Sequence, residues 1–175
     1  MHGNLTEVFK EKAEEVSANV FIAGNNKDGI NYIETILEKE KIRRIAVLDV
    51  DESYSRQLLD HGFELIDRPF RDKASEIEAS VTSAFCGIAE TGTLVIQSDS
   101  EDLRLATMLP DIHFSVIDAR SIVERANDLT YQLKDWFRNG NYTSFITGPS
   151  RTADIERVLT LGAHGPVQLH IIIKL

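Results

Sequence analysis

Two short segments carry side chains suited to holding or attacking a small polar molecule. The first is Gly148-Pro149-Ser150-Arg151-Thr152-Ala153-Asp154, which lies between an apolar run and an amphipathic one. Gly148 permits a close backbone approach or a positive φ, and Pro149 stiffens the turn. The hydroxyl of Ser150 or Thr152 can cap a helix, leaving other first-turn N–H groups for an anion. Arg151 adds a planar fork for a carboxylate or phosphate. Ordinary helix-start chemistry accounts for the same types, since Asp154 and Glu156 in a first turn suit the helix macrodipole. The second segment is Glu90-Thr91-Gly92-Thr93, where Glu90 is the one charged residue of CGIAETGTLVI. Its carboxylate could serve as general base, nucleophile or ligand-orienting acceptor. The alternative is a turn residue satisfying the N–H groups of Thr91 to Thr93.

Other reactive types are read more plainly. His164, followed by Gly165, is a turn histidine at the far end of the helix expected after Arg151, about 15 Å away at 1.5 Å per residue. An oligomer could bring His164 and Gly165 to a second or interface site. His113 and His170 fall on apolar strands as structural histidines, and no HxxxH or HExxH spacing points to a metal. Cys86, flanked by Phe85 and Gly87, reads as a small buried apolar residue.

The elements that must position these groups alternate. Leu5 to Val16 has the spacing of an amphipathic helix, NVFIAG reads as a strand, and a helix carrying Ile30, Ile33 and Leu37 follows with Asn26 as its cap. RIAVLDV, FELID, VTSAF, TLVIQS, HFSVID, TSFIT and VQLHIIIK read as further strands. Helices are expected at Glu52–His61, Leu103–Leu109, Ser121–Phe137 and TADIERVLTLG, with Leu133, Trp136 and Phe137 as packing residues, and DRPFRDKASE reads as a mobile connection. This order implies an α/β three-layer sandwich with a mostly parallel sheet, in one domain spanning 1–175. Open sheets of this kind bind ligands at the carboxyl ends of their strands, where TSFIT would deliver Gly148.

The composition narrows the function classes. Nineteen basic against 28 acidic side chains in 175 residues give a net charge of −9, which repels nucleic acid. The densest basic stretch, Lys39 to Arg44, is broken by Glu40 and Ile42 and reads as a solvated helix end. One cysteine and no G-x-G-x-x-G leave no place in this chain for an iron–sulfur cluster or a standard dinucleotide fingerprint. No run approaches the roughly 18 apolar residues of a membrane span, and the N-terminus lacks an apolar signal core, so the expected location is cytoplasmic.

Taken together and in order, GIAETGTLVI, TGPSRTADIE and LGAHGPVQLHIII resemble the LUD domain of the lactate utilization protein C family. The match runs from about Val81 to the C-terminus, while the first eighty residues share the helix–strand rhythm. The resemblance implies a NagB/RpiA/CoA-transferase-like fold. It also implies a role in bacterial oxidation of L-lactate to pyruvate beside partner proteins that carry iron–sulfur clusters. Glu90-Thr91-Gly92 is similar to the Glu-x-Gly of related CoA transferases, whose Glu is the nucleophile, an analogy at the level of fold.

Three readings stay open at this point. The first is a non-redox subunit, without cofactor of its own, in which the loops around Glu90 and Arg151 bind a small anion or organise a complex. The second is a stand-alone enzyme on a phosphorylated sugar or acyl-CoA, with Glu90 as base or nucleophile. The third is a structural or regulatory binding module, with self-association possible in each case.

Overall fold

Between Leu169 and Ile173 nearly every residue is apolar, and such a strand requires cover on both faces. The computed structural model describes residues 2–139, 141–152, 160–161 and 165–175. The first half of the chain forms α1 (His2–Glu15), β1 (Asn19–Ala23), α2 (Asn26–Glu40), β2 (Arg44–Leu48), α3 (Glu52–Asp60), β3 (Glu64–Leu65) and β4 (Ala79–Ser83). There follow β5 (Cys86–Ile88), β6 (Thr93–Gln97), α4 (Glu101–Met108), β7 (Ile112–Asp118), β8 (Ile122–Val123) and α5 (Thr130–Arg138). The last described elements are β9 (Thr143–Ile146), β10 (Arg151–Thr152), β11 (Thr160–Leu161) and β12 (Gln168–Lys174).

Six strands form a parallel sheet in the order β1-β12-β7-β4-β2-β3. Strict alternation divides its side chains. Ile172, Phe114, Val81 and Ile45 pack under Ile30, Ile33 and Leu37 of α2 and Tyr54 and Leu58 of α3. Leu169, Ile171, Ile173 and Ile117 face the other way, onto Phe9 and Ala13 of α1 and Leu94 of β6. Beside them Ala46 and Leu48 meet Leu103 and Ala106 of α4, with Ile96 and Phe70. The expected sandwich is therefore present: α2 and α3 on one face, α1 and α4 on the other.

A second, four-stranded sheet in the order β8-β5-β6-β9 accompanies α1 and α4, and it departs from expectation. CGI and TSFI pair antiparallel to TLVIQ instead of joining the main sheet. The long helix expected over Ser121–Phe137 is replaced by β8, two 3-10 turns and α5. The apolar spacing of Ile122, Ala126, Leu129 and Leu133 suits a helix, yet Ile122 and Val123 gain more by pairing with Gly87 and Ile88. DRPFRDKASE also differs: Phe70 is buried, its N–H donates to Asp102 Oδ1 at 2.7 Å, and Arg71 pairs with Glu101, so the segment is fastened to α4. The cap of α2 is Asn25, which accepts from Asp28 N at 3.0 Å, one residue before Asn26.

Both strand histidines are structural, as expected. His113 is fully buried with Nε2 bonded to Thr82 Oγ1 at 2.8 Å, and His170 Nδ1 meets Tyr32 OH at 2.7 Å. Burial pushes each ring down to about 4 from the usual 6.5, with Lys39 adding to the effect at His170. A depressed histidine holds fewer protons folded than unfolded, so its stabilisation is complete above pH 6.5 and is lost as pH falls toward 4. Each ring is expected to cost on the order of 2–3 kcal/mol across that window. Urea unfolding midpoints measured from pH 7 to pH 4.5 check this, and His170→Gln should flatten the decline by about half.

Candidate functional site

The small sheet gathers the reactive segments. The register of β6 against β9 pairs Leu94 with Ile146, and one step further along the ladder Thr93 comes opposite Thr147. Thr93 Oγ1 bonds Thr147 Oγ1 at 2.8 Å and Thr91 Oγ1 at 2.7 Å. Thr93 is buried while Thr91 and Thr147 are exposed, so the chain of three hydroxyls opens to solvent at both ends. Three O–H groups make only two mutual bonds, which leaves one O–H donor over from the pairing. By strand alternation these hydroxyls share a face with Val95 and Phe145.

The glycines of both motifs face the opposite way, against the last turn of α1. A Cβ on Gly92 would lie 2.3 Å from Ala13 N, and one on Gly148 would lie 2.3 Å from Val16 O. Both residues also adopt positive φ, +63° and +71°. Glycine is thus demanded twice over, by space and by conformation. The carboxyl end of α1 carries the negative pole of its dipole, so this side of the turns repels anions. An anion is better served on the hydroxyl face.

The third segment closes on the second. Ser150 N donates to Pro166 O at 2.8 Å, and Gly165 lies beside Ser150, whose Cβ would be 3.2 Å from a Cβ placed there. The helix expected from Thr152 to Gly162 is not what the described ends adopt. Arg151 and Thr152 are extended and pair antiparallel with Leu161 and Thr160. The Ser150–Pro166 bond draws the two ends of the segment together, which favours a hairpin pairing over a crossover. β9 delivers Gly148 from an antiparallel pairing with β6 instead of from the parallel sheet. Asp154 and His164 lie outside the described residues.

Glu90 stands at the end of β5, where its N–H donates to Glu124 O at 3.0 Å. Its Oε1 accepts the N–H of Ala126 at 3.1 Å, so it caps the 3-10 turn Ala126–Leu129 that leads into α5. The turn reading of Glu90 had the N–H groups of Thr91 to Thr93 as its partners; the bond that the carboxylate makes is to Ala126 instead. Cys86 is 3% exposed among Ile88, Val95, Leu129 and Leu133, and burial pushes its thiol up to about 12, an inert packing residue. Among the described residues no group of three or more His, Cys, Asp or Glu is placed to hold a metal ion, and no helix is long and apolar enough to cross a membrane.

The structure therefore brings together Glu90, Thr91, Gly92, Thr93, Gly148, Ser150 and Gly165. Sequence reasoning missed Thr147, Ala126 and the last turn of α1. Thr147 was legible in principle, because a hairpin reading of TLVIQ and TSFI sets it opposite Thr93.

Comparisons with known proteins bear on the family and the fold. A family model described as the LUD domain matches residues 6–173, reaching well upstream of the signatures into the first eighty residues. A lactate utilization protein C of Oceanobacillus iheyensis is 25% identical over 177 residues, covering 97% of this chain and 69% of that protein. Its Bacillus subtilis namesake is 33% identical over 100 residues, 55% of this chain and 42% of the relative. An uncharacterized protein of Neisseria meningitidis is 38% identical over 100 residues, 56% of this chain and 42% of the relative. The chain thus matches less than half the length of the last two. A crystal structure of a DUF162 family protein from Deinococcus radiodurans superposes with a TM-score of 0.75 over 99% of this chain and 98% of that one, at 19% identity, and so shares the fold.

The glycine packing has a direct test. Gly92→Ala and Gly148→Ala are each expected to cost on the order of 2–5 kcal/mol, from the strained φ and the backbone clash together. Gly165→Ala, whose nearest contact is the Ser150 side chain at 3.2 Å, should cost much less. Denaturant unfolding of the three variants ranks them.

Proposed function

Because this chain belongs to the LUD domain family, we propose that it is a non-redox component of a bacterial lactate utilization system. In this reading it organises partner proteins, which carry the iron–sulfur clusters, and holds a small anion on the hydroxyl face of its signature loops. The observation that carries the reading is convergence: the three signature segments are joined by the Thr93–Thr147 hydroxyl bond, across 54 positions of sequence, and by the Ser150–Pro166 backbone bond. Relatives named lactate utilization protein C support the pathway assignment. Arg151, next in sequence to Ser150, supplies the positive charge, and the unspent donor of the threonine chain supplies a neutral contact.

Glu90 acts by position in this account, since its carboxylate is engaged by the Ala126 N–H. A glutamine retains an oxygen for that bond. The second reading, a binding module shaped chiefly for assembly, is favoured by the glycines of the signatures, which serve the packing of α1.

The test is growth on L-lactate as sole carbon source after deletion of the gene, with variants restored at matched protein levels. The parent chain and Glu90→Gln are expected to restore growth, whereas Thr147→Val, which breaks the hydroxyl chain, restores it poorly. Growth unaffected by the deletion overturns the lactate role. Failure of a folded Glu90→Gln variant assigns the carboxylate chemical work and revives the enzyme reading.

A further inference from the structure

One edge of the parallel sheet is left open. The strand β1 pairs with β12 alone, and among the described residues no strand lies beyond it. Leu175 N donates to Ala23 O at 3.0 Å, so Ala23 turns its backbone groups toward β12. Along an extended strand these groups alternate in direction. Asn19 and Phe21 therefore also face β12, whereas the N–H and C=O groups of Val20 and Ile22 point outward. Edge strands are ordinarily blunted by a lysine, a proline, a bulge or shortness. The opposite edge, β3, is two residues long. Asn19–Ala23 has five residues in an unbroken register, with neither charge nor proline.

The side chains beside this edge are ordered along α2. Phe21 lies on the α2 face, its ring stacked on Tyr32 at 4.5 Å between centroids. A groove of about 380 Å³ follows, lined by Phe21, Asp28, Asn31, Tyr32 and Thr35. Asp28 stands in the first turn of α2 and Lys39 in the last. They are separated by about 16 Å at 1.5 Å per residue, and by about three full turns, so both project to the same side. The residues between them along the groove, Asn31, Tyr32 and Thr35, carry no charge. Glu38 and Glu40 neighbour Lys39 in sequence but are rotated about 100° from it either way. Among the described residues neither Asp28 nor Lys39 joins a salt bridge.

This distribution selects the occupant. Because α2 returns from β1 to the parallel strand β2, it runs against β1. A two-fold axis through Phe21 sets β1 antiparallel to β1 of a second copy, and α2 antiparallel to its counterpart. Val20 then lies opposite Ile22 of the copy, and Ile22 opposite Val20, each pair exchanging both backbone bonds. The two Phe21 residues form the close pair between them, about 4.5 Å apart at Cα. The same axis turns Asp28 of each copy toward Lys39 of the other. An unrelated strand could satisfy the backbone, but only a second copy matches the two charges by symmetry.

We propose that β1 is the edge through which two copies of this chain associate, joining their six-stranded sheets into one across a two-fold axis at Phe21. Asp28 and Lys39 fix the antiparallel register of the pair. The interface uses neither the signature loops nor the lactate assignment, so it stands or falls apart from both.

Sedimentation velocity of the full chain over a dilution series should show a dimer dissociating to monomer. Asp28→Lys and Lys39→Asp should each weaken self-association at least about tenfold, because each sets like charges opposite one another at both symmetric positions. Mixing the two folded variants should restore association, since every facing pair is again opposite in sign. A chain carrying both reversals should likewise self-associate. Hydrogen exchange adds a backbone readout: the amides of Val20 and Ile22 should be protected in the dimer and lose that protection on dilution. A chain monomeric at every concentration overturns the proposal, as does a dimer indifferent to both reversals. Protection of these amides that persists in the monomer also overturns it, and assigns the edge to another segment of the same chain.

Discussion

Two backbone turns approach the last turn of α1 so closely that neither Gly92 nor Gly148 leaves room for a side-chain carbon. Much else follows from that contact. It seats the small four-stranded sheet on α1, and α1 in turn covers Leu169, Ile171 and Ile173 of the parallel sheet. The hydroxyls of Thr93 and Thr147 face away from the helix as a result, because neighbouring residues on a strand alternate. The signature residues thus divide between two tasks on two faces of one sheet: glycines for packing, hydroxyls for contact. Their identity as a motif mixes both demands.

The main sheet was largely legible because its signal is local. Apolar runs of five to seven residues separated by amphipathic helices leave few alternatives to a buried parallel sheet. The small sheet was hidden by short elements: CGI is three residues long and Ile122–Val123 two. Over Ser121–Phe137 the apolar spacing matched a helix well, and only the partner strand at Gly87 and Ile88 decided otherwise. A pairing across more than thirty residues leaves no trace in local periodicity. The cap of α2 was misplaced by one residue for a simpler reason, since Asn25 and Asn26 offer the same side chain.

The candidate site was read at the level of residue types more than of roles. Glu90 drew attention as the single charge of an apolar stretch, and its partner, the N–H of Ala126, lies thirty-six positions away. Backbone donors carry no sequence signature, so this use of the carboxylate could emerge only from the fold. Gly148 was expected to serve close approach, and it does, although the approaching body is Val16.

The place of β12 has a consequence for how the chain assembles. Residues 168–174 lie between β1 at 19–23 and β7 at 112–118, so β1 joins the sheet only through a strand made some 150 positions later. On the ribosome, α1 and β1 emerge early with no sheet to join, and their apolar faces must wait for nearly all the remaining described elements. Such late, long-range closure is slow in general. It also makes the bond between the first and last strands a checkpoint: until it forms, α1 has no floor, and the loops that rest on α1 have no support.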